Sequence, residues 1–282
     1  MTNVIRTVML CVLVLVAGCT SEATDEAMTI TIDQETRQAL EDIASARIIF
    51  GHHSVGGNLI AGLRQLAQEA EIDIRFVELE SEQVPQGVPV FAHTSPGRNL
   101  YPIEKIDDFF SLLSDQHDML KPDLALMKLC YVDVAPDTDT HELANHYEKK
   151  VREVRTKLGD TVVMHVTTPL MKSPSDLKSR IKRLIGKGDM VWKDAANKNR
   201  QDLNRKVVAA FPEGPIFDLA LVESTGPDGR RAAHGEEGDI YYSLWPDYTE
   251  DGGHLNEVGR RVAAKAFALA LAAALNTQKI SE

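Results

Sequence analysis

The chain has 282 residues, of which 43% are hydrophobic and 26% charged, and its formal net charge is -11. This composition is typical of a globular protein large enough to bury a full core. The acidic balance argues against nucleic acid or an anionic membrane surface as the main partner, because both require a basic surface.

The first 18 residues have the pattern of a secretory signal peptide. Their apolar stretch, residues 8–17, is too short to span a membrane comfortably. It ends in VAGC, residues 16–19, which resembles the lipobox of bacterial lipoproteins. The resemblance implies cleavage before Cys19, a lipid on Cys19, and a tether and lead-in over residues 19–40. An ordinary cleaved signal peptide and a signal anchor are the alternatives.

A lipidated Cys19 would place the protein in the bacterial cell envelope, with the lipid as its contact with the membrane. Thr20 follows the cysteine, which by the same resemblance favours the outer membrane if the cell is Gram-negative. Cys11 would leave with the signal peptide, so Cys130 would be the one free thiol of the mature chain. An intrachain disulfide and a CxxC metal site are therefore excluded in the mature protein.

Beyond residue 40, the hydrophobic pattern alternates between strands and helices. It predicts strands over residues 46–53, 72–79, 122–134, 161–170 and 215–223. It predicts helices over residues 55–70, 103–115, 141–159, 197–211 and 254–275. Loops are expected over residues 84–102, 171–192 and 224–250.

Strands that alternate with helices imply right-handed crossovers and a parallel sheet covered on both faces. We therefore predict one domain over residues 41–282, with an α/β fold: a three-layer α/β/α sandwich around a flavodoxin-like, five-stranded parallel sheet. In such sheets the active site lies at the carboxyl ends of the strands.

The stretch FGHHSVGGN, residues 50–58, lies at one of these predicted strand ends. Its glycines suit a phosphate cradle, but it has neither G-x-G-x-x-G nor a Walker lysine. A metal site would use His52 and His53 with a third ligand such as His93, His234 or Asp251. Adjacent residues of an extended chain point to opposite faces, however, so they seldom bind one metal together. The histidines could also only satisfy buried polar groups, which would leave Ser54 free to act as a nucleophile.

The nucleophile interpretation gains support near the carboxyl terminus. In TEDGGHLNEVG, residues 249–259, Asp251 stands three residues before His254, at the start of the last predicted helix. A serine needs a general base within hydrogen-bond reach, and that base needs an acceptor that holds its tautomer. His254 and Asp251 could supply both, and a helix amino terminus would favour negative charge at Ser54.

In order and spacing these features resemble the SGNH/GDSL hydrolase superfamily, over residues 46 to 275. In that family a serine follows the first strand and D-x-x-H precedes the final helix, as Ser54 and DGGHLN (251–256) do here. A glycine after the second strand, matched by Gly97, and an asparagine after the third donate to the oxyanion hole. The resemblance implies ester hydrolysis in which His254 is the base, Asp251 orients it, and the Ser54 and Gly97 N–H groups hold the oxyanion. It requires no metal or cofactor.

Two positions depart from the family pattern. His52-His53-Ser54 replaces Gly-Asp-Ser, and the block Gly-x-Asn-Asp aligns with residues 130–133, so Val132 stands where the oxyanion asparagine is expected. Loss of one oxyanion donor typically costs about 10²–10³ in rate. Asn99, or one of the two histidines, is a candidate substitute.

Three function classes follow from these patterns. The first is a lipid-anchored serine esterase acting on a small-molecule or glycan ester, possible O-acyl groups on a carbohydrate included. The second is a catalytically weak or inactive surface lipoprotein that binds glycan or another ligand, for which Val132 is the main support. The third is a metal-dependent hydrolase using His52 and His53.

Aromatic residues before the D-x-x-H block would either stack on sugar rings or pack the loop: Tyr241, Tyr242, Trp245 and Tyr248. The basic stretch 172–193 would either meet an acidic glycan or be a solvated face.

Overall fold

The computed structural model describes residues 32–174 and 189–279. The predicted signal peptide, Cys19 and most of the basic stretch 172–193 lie outside the described residues. Within the described residues, no helix is both long and apolar enough to cross a membrane.

A central sheet of parallel strands organises the molecule. Its strands are β1 (Arg47–Gly51), β2 (Phe76–Glu78), β3 (Val90–Thr94), β4 (Leu124–Met127), β5 (Val162–Val166) and β6 (Ile216–Phe217). They lie in the order β2-β3-β1-β4-β5-β6. In the register, Ile48 of β1 is opposite Phe91 on one side and Leu124 on the other. The central strands are largely apolar because both faces of a parallel sheet are covered by helices.

Helices cover both faces of the sheet. They are α1 (Gln34–Ala44), α2 (Ser54–Glu69), α3 (Pro102–Asp115), α4 (His117–Leu120), α5 (Thr140–Arg155), α6 (Asp189–Ala210), α7 (Leu219–Ser224) and α8 (Glu257–Lys279). On one face α1 and α2 pack against α8, and on the other α5 packs against α3 and α6. Each face has its own apolar core. The predicted three-layer α/β/α fold class is thus confirmed.

Among the described residues, the sheet has six strands rather than the predicted five. The additional strand is β3, which lies inside the segment 84–102 that the sequence assigned to a loop. Pro89 and Pro96 bracket it, and such residues are turn signals. The short apolar run between them nevertheless inserts between β1 and β2, where it is hydrogen-bonded on both sides.

Two further segments differ from the prediction. The strand predicted over 215–223 ends at Phe217, because the Asp218 carboxylate accepts the Leu221 N–H at 3.0 Å and starts the helix α7. Helix α1 begins at Gln34, within the segment assigned to a tether and lead-in. The loop 224–250 contains a two-stranded antiparallel ribbon, β7 (Ala233–His234) and β8 (Tyr241–Tyr242), and a 3₁₀ turn, Pro246–Tyr248.

Helices α2 and α8 approach each other closely. A Cβ on Gly62 of α2 would lie 2.6 Å from the Cβ of Ala264 in α8. Near their amino ends, the Leu255 N–H donates to Asn58 Oδ1 at 3.1 Å. Both helices therefore begin at the carboxyl edge of the sheet, which brings the segments around Ser54 and His254 to the same edge.

Candidate active site

Ser54 is the first residue of α2 and is exposed. The preceding strand β1 ends at Gly51, and one residue later the His52 N–H still donates to Thr94 O, at 2.9 Å. His53 is extended, with φ −129°, so the chain turns from strand to helix in one residue. The unpaired N–H groups of the helix start favour a negative charge at this point.

The glycines around Ser54 make room for packed side chains. A Cβ on Gly51 would lie 2.4 Å from a ring carbon of Phe109, and one on Gly56 would lie 2.3 Å from the Cβ of His52. A Cβ on Gly57 would meet no atom within 4 Å. Two of the three glycines are thus explained by packing, without a bound phosphate.

The adjacent histidines point in different directions. His52 is buried and its Nε2 lies 3.4 Å from Nδ1 of His93, whereas His53 Nε2 donates to Pro96 O at 2.7 Å. Burial, with a smaller contribution from the charge of Lys128, lowers the pKa of His52 to about 3, so its ring is neutral. Among the described residues, no group of three or more side chains is arranged to hold a metal ion.

Asp251 and His254 form a close pair in the bend before α8. His254 Nδ1 donates to Asp251 Oδ2 at 2.6 Å, and Asp251 Oδ1 accepts the N–H groups of His254 and Gly253 at 2.8 and 2.9 Å. Partial burial would raise the pKa of Asp251, but these hydrogen bonds outweigh it and hold the pKa far below its usual value. Because a carboxylate only accepts, Nδ1 carries the ring proton and Nε2 is left as the basic nitrogen.

The hydrogen bond from Ser54 to His254 that a triad requires is not formed in the described structure. Ser54 Oγ lies 3.9 Å from Cys130 Sγ, and the phenol oxygen of Tyr131 lies 3.3 Å from His254 Nε2. The two segments are joined one turn further on by the contact between Asn58 and Leu255. The geometry therefore holds Asp251 and His254 together, and brings Ser54 to the same edge with the Cys130–Tyr131 segment between the two.

The segment after β4 contains Val132, the residue at the position where the family pattern has the oxyanion asparagine. Val132 lies in a 3₁₀ turn, Tyr131–Asp133, and packs against the apolar core. The next residue, Asp133, is buried and accepts four hydrogen bonds. Lys105 Nζ donates two of them, at 2.7 and 2.9 Å, and the other two come from the Cys130 and Leu100 N–H groups at 2.6 and 2.9 Å. The Asp133 carboxylate thus fastens this turn to the loop that contains Gly97.

Gly97 needs to be a glycine. Its φ is +55°, and a Cβ would lie 2.8 Å from the backbone nitrogen of Lys105. The neighbouring Pro96 O accepts from His53, which holds this loop beside the serine turn. Asn99 is exposed, and its Oδ1 accepts from Lys105 Nζ at 2.7 Å, so its amide N–H groups point away from that contact. The oxyanion roles of Ser54, Gly97 and Asn99 stay predictions.

Sequence reasoning missed the buried Lys105–Asp133 pair, the Asn58 bridge and the contacts of Cys130 and Tyr131. Asn58 stands four residues after Ser54 in a predicted helix, and this spacing places it on the same helix face. Cys130 and Tyr131 belong to the block that aligned with Gly-x-Asn-Asp, so attention to its other members would have found them. Lys105 carried no such signal, because nothing in an amphipathic helix pattern distinguishes a buried lysine from an exposed one.

The aromatic residues before the D-x-x-H block contact the protein itself. Tyr248 is buried, and the Trp245 ring packs so tightly on Gly226 that a Cβ there would lie 2.4 Å from it. The guanidinium carbon of Arg231 lies 3.4 Å from the ring centre of Tyr242. For these three aromatic residues the structure favours loop packing over sugar stacking.

A surface cavity of about 1050 Å³ lies elsewhere. Its lining includes Asp123, Val162 and Pro215, which precede or begin β4, β5 and β6. It therefore opens at the amino ends of the strands, at the opposite edge of the sheet from Ser54, and does not serve the serine site.

A scan against protein-family models and a search of curated proteins each found no match. Among solved structures, the chain is similar to a family 3 carbohydrate esterase from Clostridium thermocellum, with 14% identity over 79% of this chain and 92% of the other, at a TM-score of 0.40. It is similar to a protein of the G-D-S-L family from Desulfitobacterium hafniense DCB-2, with 9% identity over 79% and 98% of the two chains, at a TM-score of 0.42. It is also similar to Est24, a carbohydrate acetylesterase from Sinorhizobium meliloti, with 15% identity over 83% of this chain and 98% of the other, at a TM-score of 0.36.

The resemblance is to SGNH/GDSL hydrolases. At such low identity and TM-score it carries no conclusion about activity, so the roles of Ser54, His254 and Asp251 depend on the residues of this chain.

Proposed function

We propose that the protein is a serine hydrolase that cleaves carboxylic esters. The observation that carries this proposal is the Asp251–His254 pair, with 2.6 Å between Oδ2 and Nδ1, at the same sheet edge as an exposed Ser54 on a helix amino terminus. A histidine whose Nδ1 is held by a carboxylate presents a basic Nε2, which is the atom that can take a proton from a serine.

In the proposed reaction His254 takes the proton of Ser54 while Oγ attacks the ester carbonyl carbon. The Ser54 and Gly97 N–H groups hold the resulting oxyanion, and His254 then delivers the proton to the leaving alcohol. Water repeats the sequence on the serine ester and releases the acid. A substrate is required to bring Oγ and Nε2 together, since catalytic hydrogen bonds are often formed only in the substrate complex.

We propose further that the ester is an O-acyl group on a carbohydrate and that Cys19 carries a lipid. A lipid-anchored protein of the cell envelope would meet such esters on envelope or foreign polysaccharides. This part of the proposal depends on the lipobox at residues 16–19, and globomycin inhibition of processing, together with loss of the anchor in Cys19→Ala, would test it separately.

A second candidate is a binding protein that keeps the fold without turnover. Two observations favour it: the Val132 side chain supplies no oxyanion donor, and the described residues contain no hydrogen bond from Ser54 to His254. Retention of Ser54, Asp251 and His254 together is what the catalytic proposal explains and the binding proposal leaves unexplained.

Labelling with a fluorophosphonate probe separates the two candidates. The purified protein should be labelled, Ser54→Ala should not, and Ser95→Ala, which removes an exposed serine from a neighbouring loop, should be labelled like the wild type. Hydrolysis of p-nitrophenyl acetate should follow the same order. Absence of both labelling and hydrolysis in a folded wild-type protein would refute the esterase and leave the binding protein.

A further inference from the structure

A tyrosine hydroxyl lies beside the basic nitrogen of the candidate base. The phenol oxygen of Tyr131 is 3.3 Å from His254 Nε2, and the two rings are edge to face at 74°. The Tyr131 ring also packs on Gly253, where a Cβ would lie 2.7 Å from it. Tyr131 is buried, so its position is determined by packing on the bend that carries the base.

The direction of this hydrogen bond follows from the protons. Asp251 accepts from Nδ1 of His254, so Nε2 is an acceptor and the phenol is the donor. Burial, with a smaller contribution from the Asp251 charge, raises the pKa of Tyr131, which keeps the phenol protonated at neutral pH. The resting site thus holds an O–H group directed at the atom that must receive the serine proton.

The turn that carries Tyr131 is held rigidly. Arg200, fully buried, donates from Nε to Tyr131 O at 2.9 Å, and the Cys130 N–H donates to Asp133. Among the other side chains of this turn, Val132 has no donor and the thiol of Cys130 is a weak one. The buried Asp133 carboxylate only accepts hydrogen bonds. The phenol is the strong side-chain donor that the turn directs towards the base.

We propose that Tyr131 is a catalytic residue that donates to the oxyanion in the place of the asparagine missing at Val132. This rests on the proposed ester hydrolysis. When Oγ bonds to the carbonyl carbon, the C=O π pair moves to oxygen and the serine proton moves to Nε2. Nε2 has a single lone pair and cannot accept from the phenol and from the serine at once. The phenol O–H therefore turns from Nε2 to the developing oxyanion as the serine proton moves to Nε2. The phenol keeps its proton throughout, and its hydrogen bond returns to Nε2 when the π bond re-forms.

The competing interpretation is that the phenol only blocks Nε2 in the resting protein. The two differ in sign. A blocking phenol slows the reaction, so its removal accelerates turnover, whereas an oxyanion donor speeds the reaction, so its removal slows turnover.

The test is Tyr131→Phe, assayed for p-nitrophenyl acetate hydrolysis. We expect kcat to fall about 10²-fold with KM nearly unchanged, as for an interaction made only in the transition state. The matched control is Tyr147→Phe, which removes a buried phenol hydrogen-bonded to His165 at 2.9 Å in the other core, and it should leave kcat unchanged.

An unchanged or increased kcat in Tyr131→Phe overturns the proposal. If Tyr131→Phe loses its cooperative thermal transition, Tyr131→3-fluorotyrosine is used in its place. Its more acidic phenol is a stronger hydrogen-bond donor, so we expect a higher kcat than in the wild type. An unchanged or lower kcat counts against the proposal. Failure of the esterase itself has a different signature: the wild type would then show neither probe labelling nor hydrolysis, and the role of Tyr131 would be refuted with it.

Discussion

The buried pair of Lys105 and Asp133 should be a major determinant of stability. Both side chains are almost fully buried, at 1% and 0% exposure, and Nζ lies 2.7 Å from Oδ2. In Asp133→Asn the Lys105 ammonium loses its counter-charge. In addition, one carboxylate oxygen is replaced by an NH₂ group, which would face the donors that the oxygen now accepts from, namely Lys105 Nζ and the N–H group of Leu100 or Cys130. Breaking a buried pair from one side costs about 3–5 kcal/mol, so we expect a loss of that size in the free energy of unfolding. Urea unfolding followed by circular dichroism measures it.

The matched control is Glu104→Gln, which removes a carboxylate from the neighbouring exposed pair with Arg98. That pair is partly exposed, at 67% and 31% of the two side chains, so the control should change the urea midpoint far less than Asp133→Asn does. A loss of less than about 1 kcal/mol in Asp133→Asn would refute this reasoning. It would show that the Lys105 ammonium can stay buried without its counter-charge at little cost in free energy. Lys105→Met combined with Asp133→Leu should be more stable than Asp133→Asn alone, because it removes both charges together.

Two other properties can be checked by the same unfolding measurement. Gly97→Ala should cost at least twice the loss of Gly87→Ala: both residues have positive φ, worth about 1–2 kcal/mol against alanine, but only at Gly97 would the Cβ meet backbone, 2.8 Å away. Equal losses of unfolding free energy in the two variants would show that the backbone at Lys105 moves away from the new Cβ at little cost. Burial raises the pKa of Glu223 to about 8 from its ordinary 4.5, so its contribution to stability is complete below pH 4.5 and is lost as the pH rises through 8. Within this window the wild type should lose up to about 1.4 kcal/mol per pH unit more than Glu223→Gln, and parallel profiles would contradict this.

Hydrophobic periodicity was sufficient for the fold class. Alternation of apolar strands and amphipathic helices predicted a parallel sheet with helices on both faces, because crossover connections allow few other arrangements. It failed where local signals and tertiary pairing conflict. β3 is five residues long between prolines, and only the partners β1 and β2 on either side make it a strand. Similarly, Asp218 converts the end of an apolar run into a helix start.

For the candidate site, the sequence by itself determined which residues could do the chemistry. Ser54 after the first strand and the short spacing of Asp251 and His254 are local patterns, and a three-residue separation in a bend is enough to let a carboxylate reach Nδ1. Tertiary structure alone decided what faces them. Cys130 and Tyr131 lie 76 and 123 residues from Ser54 and His254 respectively, and they meet them only because β4 lies beside β1 in the sheet. Contacts between distant segments depend on strand order and helix packing, and no local spacing encodes these.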